Sequence, residues 1–120
     1  MKTQRLNHLQ IAVTDLDRSL AFYEGLFGMQ ELFRAGPDMV FLKSPNADDL
    51  FTLRRVDEPL DTTAGGLQHF GFTVSKEAHV AAVEEVRAFG AEIIEVGQHG
   101  DGAAYVYLKD PDGYVIEIGT

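Results

Sequence analysis

His8, His69 and Glu117 are the side chains whose types and placement suit a divalent metal ion. Two neutral imidazoles and one anionic oxygen leave several coordination positions free for substrate, water or oxygen. The two histidines open matching motifs, His-Leu-Gln-Ile-Ala-Val from His8 and His-Phe-Gly-Phe-Thr-Val from His69. Both motifs alternate with the period of a strand. Leu9, Ile11 and Val13 share one face, opposite His8, Gln10 and Ala12; Phe70, Phe72 and Val74 share another, opposite His69, Gly71 and Thr73. Glu117 falls with Val115 and Gly119, opposite Ile116 and Ile118. A carboxylate in that setting needs a cation or several donors to stay charged. Taken singly, each residue has a plainer reading: a strand-end histidine near the terminus, a polar residue at a linker-to-strand junction, and a rim charge. Matching histidines at the same point of two repeated segments, both off the helix-packing face, are hard to explain by packing.

The elements that must position them repeat as well. Each half reads β-α-β-β-β. In Asp15 to Phe27, the residues Leu16, Leu20, Tyr23 and Phe27 recur at helical spacing, Thr14 or Asp15 can cap the start, and Gly28 stops the helix. The second helix starts at the Ser75 cap and ends at Gly90, with Val80, Val83, Val86 and Phe89 expected to form its buried stripe. Strand-like segments follow each helix: Met29 to Arg34, Met39 to Ser44 and Leu50 to Arg55, then Ala91 to Val96, Ala103 to Lys109 and Tyr114 to Ile118. Asp110-Pro111-Asp112-Gly113 is a hairpin turn signal. The chain is thus read as one domain of two βαβββ modules, residues 4–56 and 67–120, joined by a linker over 57–66 that holds Pro59 and Gly65-Gly66.

Composition bounds the function. The 120 residues suffice for a core without staples, burying roughly 65% of the unfolded surface. The absence of cysteine excludes disulfides and thiolate metal sites. A net charge of −9 argues against non-specific nucleic-acid binding, which needs clustered Lys and Arg. No apolar run approaches the length of a membrane span, and Met1 to Arg5 leads straight into a strand pattern, so a cytoplasmic protein is expected. There is no phosphate-cradling glycine loop and no nucleophile elbow.

The repeated βαβββ unit, the His8 and His69 strand starts, and the Asp110-to-Tyr114 turn leading to Glu117 resemble the vicinal oxygen chelate superfamily over essentially the whole chain. That group includes glyoxalase I, fosfomycin- and bleomycin-resistance proteins, methylmalonyl-CoA epimerase and type I extradiol dioxygenases. The resemblance implies an α+β fold in which two modules form a curved, incomplete β-barrel around a metal held by His8, His69 and Glu117. It also implies a homodimer with sites at the interface. At the fourth-strand position where glyoxalase I has a carboxylate and the epimerase a glutamine, this chain has Thr52, a poor ligand.

The C-terminal stretch is similar to the extradiol dioxygenase signature, supplying Gly97, His99, Val106, Tyr107, Asp110, Pro111, Gly113 and Glu117 in order. By that resemblance Tyr107 and His99 are catalytic, hydrogen-bonding substrate or oxygen. The further acid-base histidine of those enzymes is missing, since the corresponding region reads Arg54-Arg55-Val56. The arginines there suit an anionic substrate group or a solvated strand edge equally well.

The expectation is a metal-dependent enzyme, dioxygenase-like in the first instance, with Fe(II) or Mn(II) favoured and Zn, Ni or Co as other candidates. Gln10, Thr52, Arg54, Thr73 and Tyr105 are assigned to a small-molecule substrate. A glyoxalase-like lyase or isomerase and a fosfomycin-type transferase are alternatives on the same triad, and a metal-free binding protein of the bleomycin-resistance kind is a further one. Phe41, Phe51 and Tyr105 are candidates to line an apolar pocket, while Phe22, Tyr23 and Phe27 read as core. His79, alone on the second helix, is left outside the site as a surface or partly packed residue.

Overall fold

Both helices start and stop at their capping residues. Asp15 has extended backbone, and its Oδ1 accepts the Arg18 N–H at 3.0 Å, satisfying one of the orphan donors of a helix start. Gly28, at φ 64°, ends α1 (Leu16–Phe27) in left-handed backbone. The second helix repeats the device, with the Ser75 hydroxyl accepting the Ala78 N–H at 3.1 Å and Gly90 closing α2 (Lys76–Phe89).

A computed structural model describes residues 1–120 as two units, Met1–Leu60 and Asp61–Thr120. Unit 1 runs β1 (His8–Val13), α1, β2 (Gln30–Arg34), β3 (Met39–Lys43) and β4 (Leu50–Arg55). Unit 2 runs β5 (Phe70–Thr73), α2, β6 (Glu92–Gln98), β7 (Ala104–Lys109) and β8 (Val115–Gly119). Each is an α+β module with one helix and one open four-stranded sheet, ordered β1-β4-β3-β2 and β5-β8-β7-β6. His69 lies one residue before β5, not on it as its motif suggested. In each sheet the first strand pairs in parallel with the last, and the other ladders are antiparallel. No helix is long and apolar enough to cross a membrane.

Alternation sorts each sheet into a helix-packing face and an open face. In unit 1, Ile11, Val13, Val40, Leu42, Phe51 and Leu53 are buried with Leu16, Leu20, Phe22 and Tyr23 of α1. Tyr23 and Phe51 have ring centroids 4.8 Å apart. Phe51 is therefore core and not a pocket wall, because its odd-numbered strand position turns it toward the helix. In unit 2, Val106, Leu108, Ile116 and Ile118 form the corresponding layer. Here the expected α2 stripe is corrected: His79, Ala82 and Val86 are buried, Val80 is 84% exposed and Phe89 is 43% exposed. Val80 lies about 100° round the helix from His79, off the line that the spacing of His79, Ala82 and Val86 defines.

The turn that feeds β8 is tied from within. Asp110, 5% exposed, accepts the Asp112 and Tyr114 N–H groups on Oδ1, each at 2.9 Å. Thr62 donates its hydroxyl to the Asp112 carbonyl at 3.0 Å. Gly113 has φ 92°, and a Cβ there would stand 2.9 Å from Thr62 Oγ1. Gly113→Ala is expected to cost about 1–3 kcal/mol through strained backbone and this close approach. A urea denaturation midpoint equal to that of the parent would refute the argument.

Candidate functional site

The open face of unit 2 converges on one carboxylate. Register places Gly71 opposite Glu117 on β8, with Tyr107 of β7 on its other side. The Tyr107 hydroxyl donates to Glu117 Oε2 at 2.9 Å. His69 Nε2 is 3.3 Å from the same oxygen, and its ring meets Tyr107 edge-on at 5.2 Å. His99 Nε2 is 2.9 Å from the other oxygen, Oε1. An ionised carboxylate only accepts, so that His99 nitrogen donates. The two oxygens thus have different duties, with Oε1 held by His99 and Oε2 shared by Tyr107 and His69.

Close approach at Glu117 depends on small neighbours. A Cβ on Gly71 would stand 2.9 Å from the Glu117 carbonyl oxygen. The hydrogen bond from His99 is the main influence holding the Glu117 carboxyl below the usual carboxylate range; partial burial opposes it, and Tyr107 and the imidazole charges reinforce it. The same bond to Glu117 pushes the Tyr107 phenol upward, with burial adding to it, so Tyr107 stays a proton donor.

Beside this group Tyr105 is fixed by a residue that the sequence reading missed. Its hydroxyl donates to Glu95 Oε1 at 2.6 Å, and its ring lies 4.7 Å from His99 and 5.0 Å from Tyr107. Gly97, paired with Tyr105 across the ladder, leaves room for the ring, since a Cβ there would meet the phenol oxygen at 2.5 Å. The available signal was alternation in β6, which puts Glu95 and Gly97 on one face. Thr73, opposite Gly119 on β8, shares the face of Gly71 but is not among the hydrogen-bond or ion-pair partners of Glu117.

In unit 1 the open face carries His8, Gln10, Thr52, Arg54 and Phe41. His8 Nδ1 donates to Asn7 Oδ1 at 2.7 Å, and Nε2 takes no part in that bond. Gln10 is opposite Thr52, and Thr52 is opposite Phe41. Phe41 stacks on Phe33 at 4.3 Å. Thr52 is fully buried, and its Oγ1 has no hydrogen-bond partner. Leaving that hydroxyl unsatisfied costs about 1–3 kcal/mol. Arg54 is exposed, whereas Arg55, on the helix-packing face, pairs with Asp38 at 2.7 Å and also with Asp57.

The donor set fits a divalent cation in part. Two ligand atoms at right angles on one ion, each about 2.1 Å from it, stand about 3.0 Å apart, close to the spacing of His69 Nε2 and Glu117 Oε2. No three His, Asp or Glu side chains come together as a complete ligand set. Unit 2 supplies the His69 and Glu117 pair, and the sequence-expected third ligand, His8, stands on unit 1. The resemblance put His99 on substrate or oxygen; the structure puts it on the oxygen of Glu117 that faces away from His69. His99 thus orients the Glu117 carboxylate, and with Glu117 proposed below as a metal ligand, His99→Gln is expected to weaken Mn(II) or Co(II) binding about 10- to 100-fold. Altered Co(II) absorption in the variant would report the changed carboxylate, and unchanged affinity and spectrum would deny the role.

Each βαβββ module has one open four-stranded sheet, and unit 2 brings an imidazole and a carboxylate together on its open face. The chain belongs to the Glyoxalase/Bleomycin resistance protein/Dioxygenase superfamily, whose sequence profile matches residues 5–118. It is 27% identical over 123 residues to the metallothiol transferase FosB of Lysinibacillus sphaericus, covering 100% of this chain and 84% of that one. It is 31% identical over 129 residues to the mitochondrial methylmalonyl-CoA epimerase of Homo sapiens, covering 95% and 72%. Among solved structures, FosX of Listeria monocytogenes, complexed with Mn(II) and a dihydroxypropylphosphonic acid, superposes with a TM-score of 0.81 at 20% identity, covering 98% of this chain and 93% of that one. The sequence relatives named here are enzymes.

Proposed function

We propose that this chain is a divalent-metal enzyme acting on a small molecule that chelates the ion through adjacent oxygens, with His69, Glu117 and His8 as ligands. The observation that carries the reading is the Glu117 carboxylate, held anionic and divided between His99 on one oxygen and Tyr107 and His69 on the other. The bound ion, Mn(II) or Fe(II) by preference, supplies Lewis-acid charge at a substrate oxygen. The protein's own part is positional. His99 fixes the carboxylate, Tyr107 keeps a phenolic proton beside it, and Tyr105, locked to Glu95, offers a ring for an apolar part of the substrate. Neither unit holds three ligands by itself, and we propose a homodimer as the working form.

Transferase or isomerase chemistry is favoured over ring cleavage. His99 is engaged with Glu117, and residues 54–56 supply no acid-base histidine. The ring-cleaving reading keeps one observation in its favour, the unbroken run of motif residues from Gly97 to Glu117. Elemental analysis of protein purified anaerobically without chelator tests the common part, and assays then separate the branches. Bound metal with oxygen uptake on catechols selects ring cleavage; bound metal with thiol addition to an epoxide, or solvent-proton exchange beside a carbonyl, selects the first reading. No metal at purification and none on titration would overturn both and leave a binding protein.

A further inference from the structure

The open face of unit 1 carries basic residues and no acid. Its positions on β1, β3 and β4 are His8, Gln10 and Ala12, then Met39, Phe41 and Lys43, then Leu50, Thr52 and Arg54. In a chain with 19 acidic and 10 basic residues, four cations elsewhere on the sheets and helices meet carboxylates: Arg34 with Glu31, Arg55 with Asp38 and Asp57, Arg87 with Glu84, Lys109 with Glu92. Arg54 has no such partner, and its cross-strand neighbours are Ala12 and Met39, neither of which can accept from it through a carboxylate. Two residues along the same face, Thr52 Oγ1 is fully buried and unpartnered. An exposed unpaired guanidinium and a buried orphaned hydroxyl on one acid-free sheet face both lack an acceptor.

We infer that Arg54, Thr52 and Gln10 form an oxyanion subsite for a carboxylate or phosphoryl group of the substrate. Guanidinium donates in a fork that matches either group, and the Thr52 hydroxyl and Gln10 amide add single donors. The subsite deepens the proposed function, and its place gives the substrate a shape. Arg54 lies four residues along β4 from Leu50, the neighbour of His8, a backbone span of about 13 Å. The substrate is therefore elongated, with metal-chelating oxygens near one end and an anionic group toward the other.

The test titrates full-length protein, and in parallel its His69→Ala variant, with inorganic phosphate and with succinate, following backbone amide shifts at residues 10, 52 and 54. Saturable binding is expected in both proteins, so failure of the metal reading leaves this result standing. Arg54→Gln is expected to weaken it about tenfold or more, and Thr52→Val about threefold. Thr52→Val should also raise the thermal midpoint while it weakens binding, a combination that a purely structural threonine does not give. Preference for phosphate assigns a phosphoryl group, and preference for succinate a carboxylate. Absence of saturable shifts, affinity unchanged in Arg54→Gln, or an equal loss in the ion-paired control Arg34→Gln would overturn the subsite.

Discussion

Alanine at His69 is expected to release the divalent ion, lowering affinity by more than about 100-fold, beyond the loss assigned to a supporting residue such as His99. His69 is partly exposed and precedes β5, so its removal leaves the sheet ladder and the core intact. Circular dichroism should match the parent while metal content falls to background. Glu117→Ala should lose the ion as fully, but at a cost in stability, since it strips an acceptor from both His99 and Tyr107. Full metal occupancy in His69→Ala would remove His69 from the centre and with it the proposed chemistry.

Truncating the sheet layer beneath the site should have the largest effect on stability. Leu108 is fully buried between Tyr107 and Lys109, and Leu108→Ala is expected to cost about 2–5 kcal/mol. A domain of this size has a total stability of about 5–15 kcal/mol, so the change removes a large part of it. Leu53→Ala, equally buried behind Thr52 and Arg54 in unit 1, should cost a similar amount. Urea denaturation measures both, and a loss under about 1 kcal/mol in either would mean that the layer closes the cavity by relaxation.

What could be read from the residues followed strict periods and local caps. Asp15, Gly28, Ser75 and Gly90 mark the helix ends because their chemistry is local, and alternation puts Tyr105 and Tyr107 on one face, which only the β7–β8 register makes the face of Glu117. Errors arose where several stripes compete on one helix. Val80 and Phe89 looked as fit for burial as Val86, and only the angle at which α2 meets its sheet selects the line through His79. His79 is buried with Nε2 unpartnered, which composition gives no reason to expect. Phe51 faces Tyr23 because strand parity, and not aromatic type, decides its side of the sheet. The Glu95 bond to Tyr105 and the His99 bond to Glu117 join residues on different strands, and no local pattern announces them.

The parallel pairing of the first and last strands in each module has a kinetic consequence. His8 meets Leu50, and Gly71 meets Glu117, only after the whole of the intervening module has been threaded between them. These are the strand pairings of greatest sequence separation in each unit, and such contacts slow folding because loop closure must precede any gain from them. The hairpins β2–β3 and β6–β7 are local and can form early. Glu117 comes to stand beside His69 only once the long loop between them has closed, so in unit 2 the pair belongs to the late, non-local contacts and not to the early hairpin.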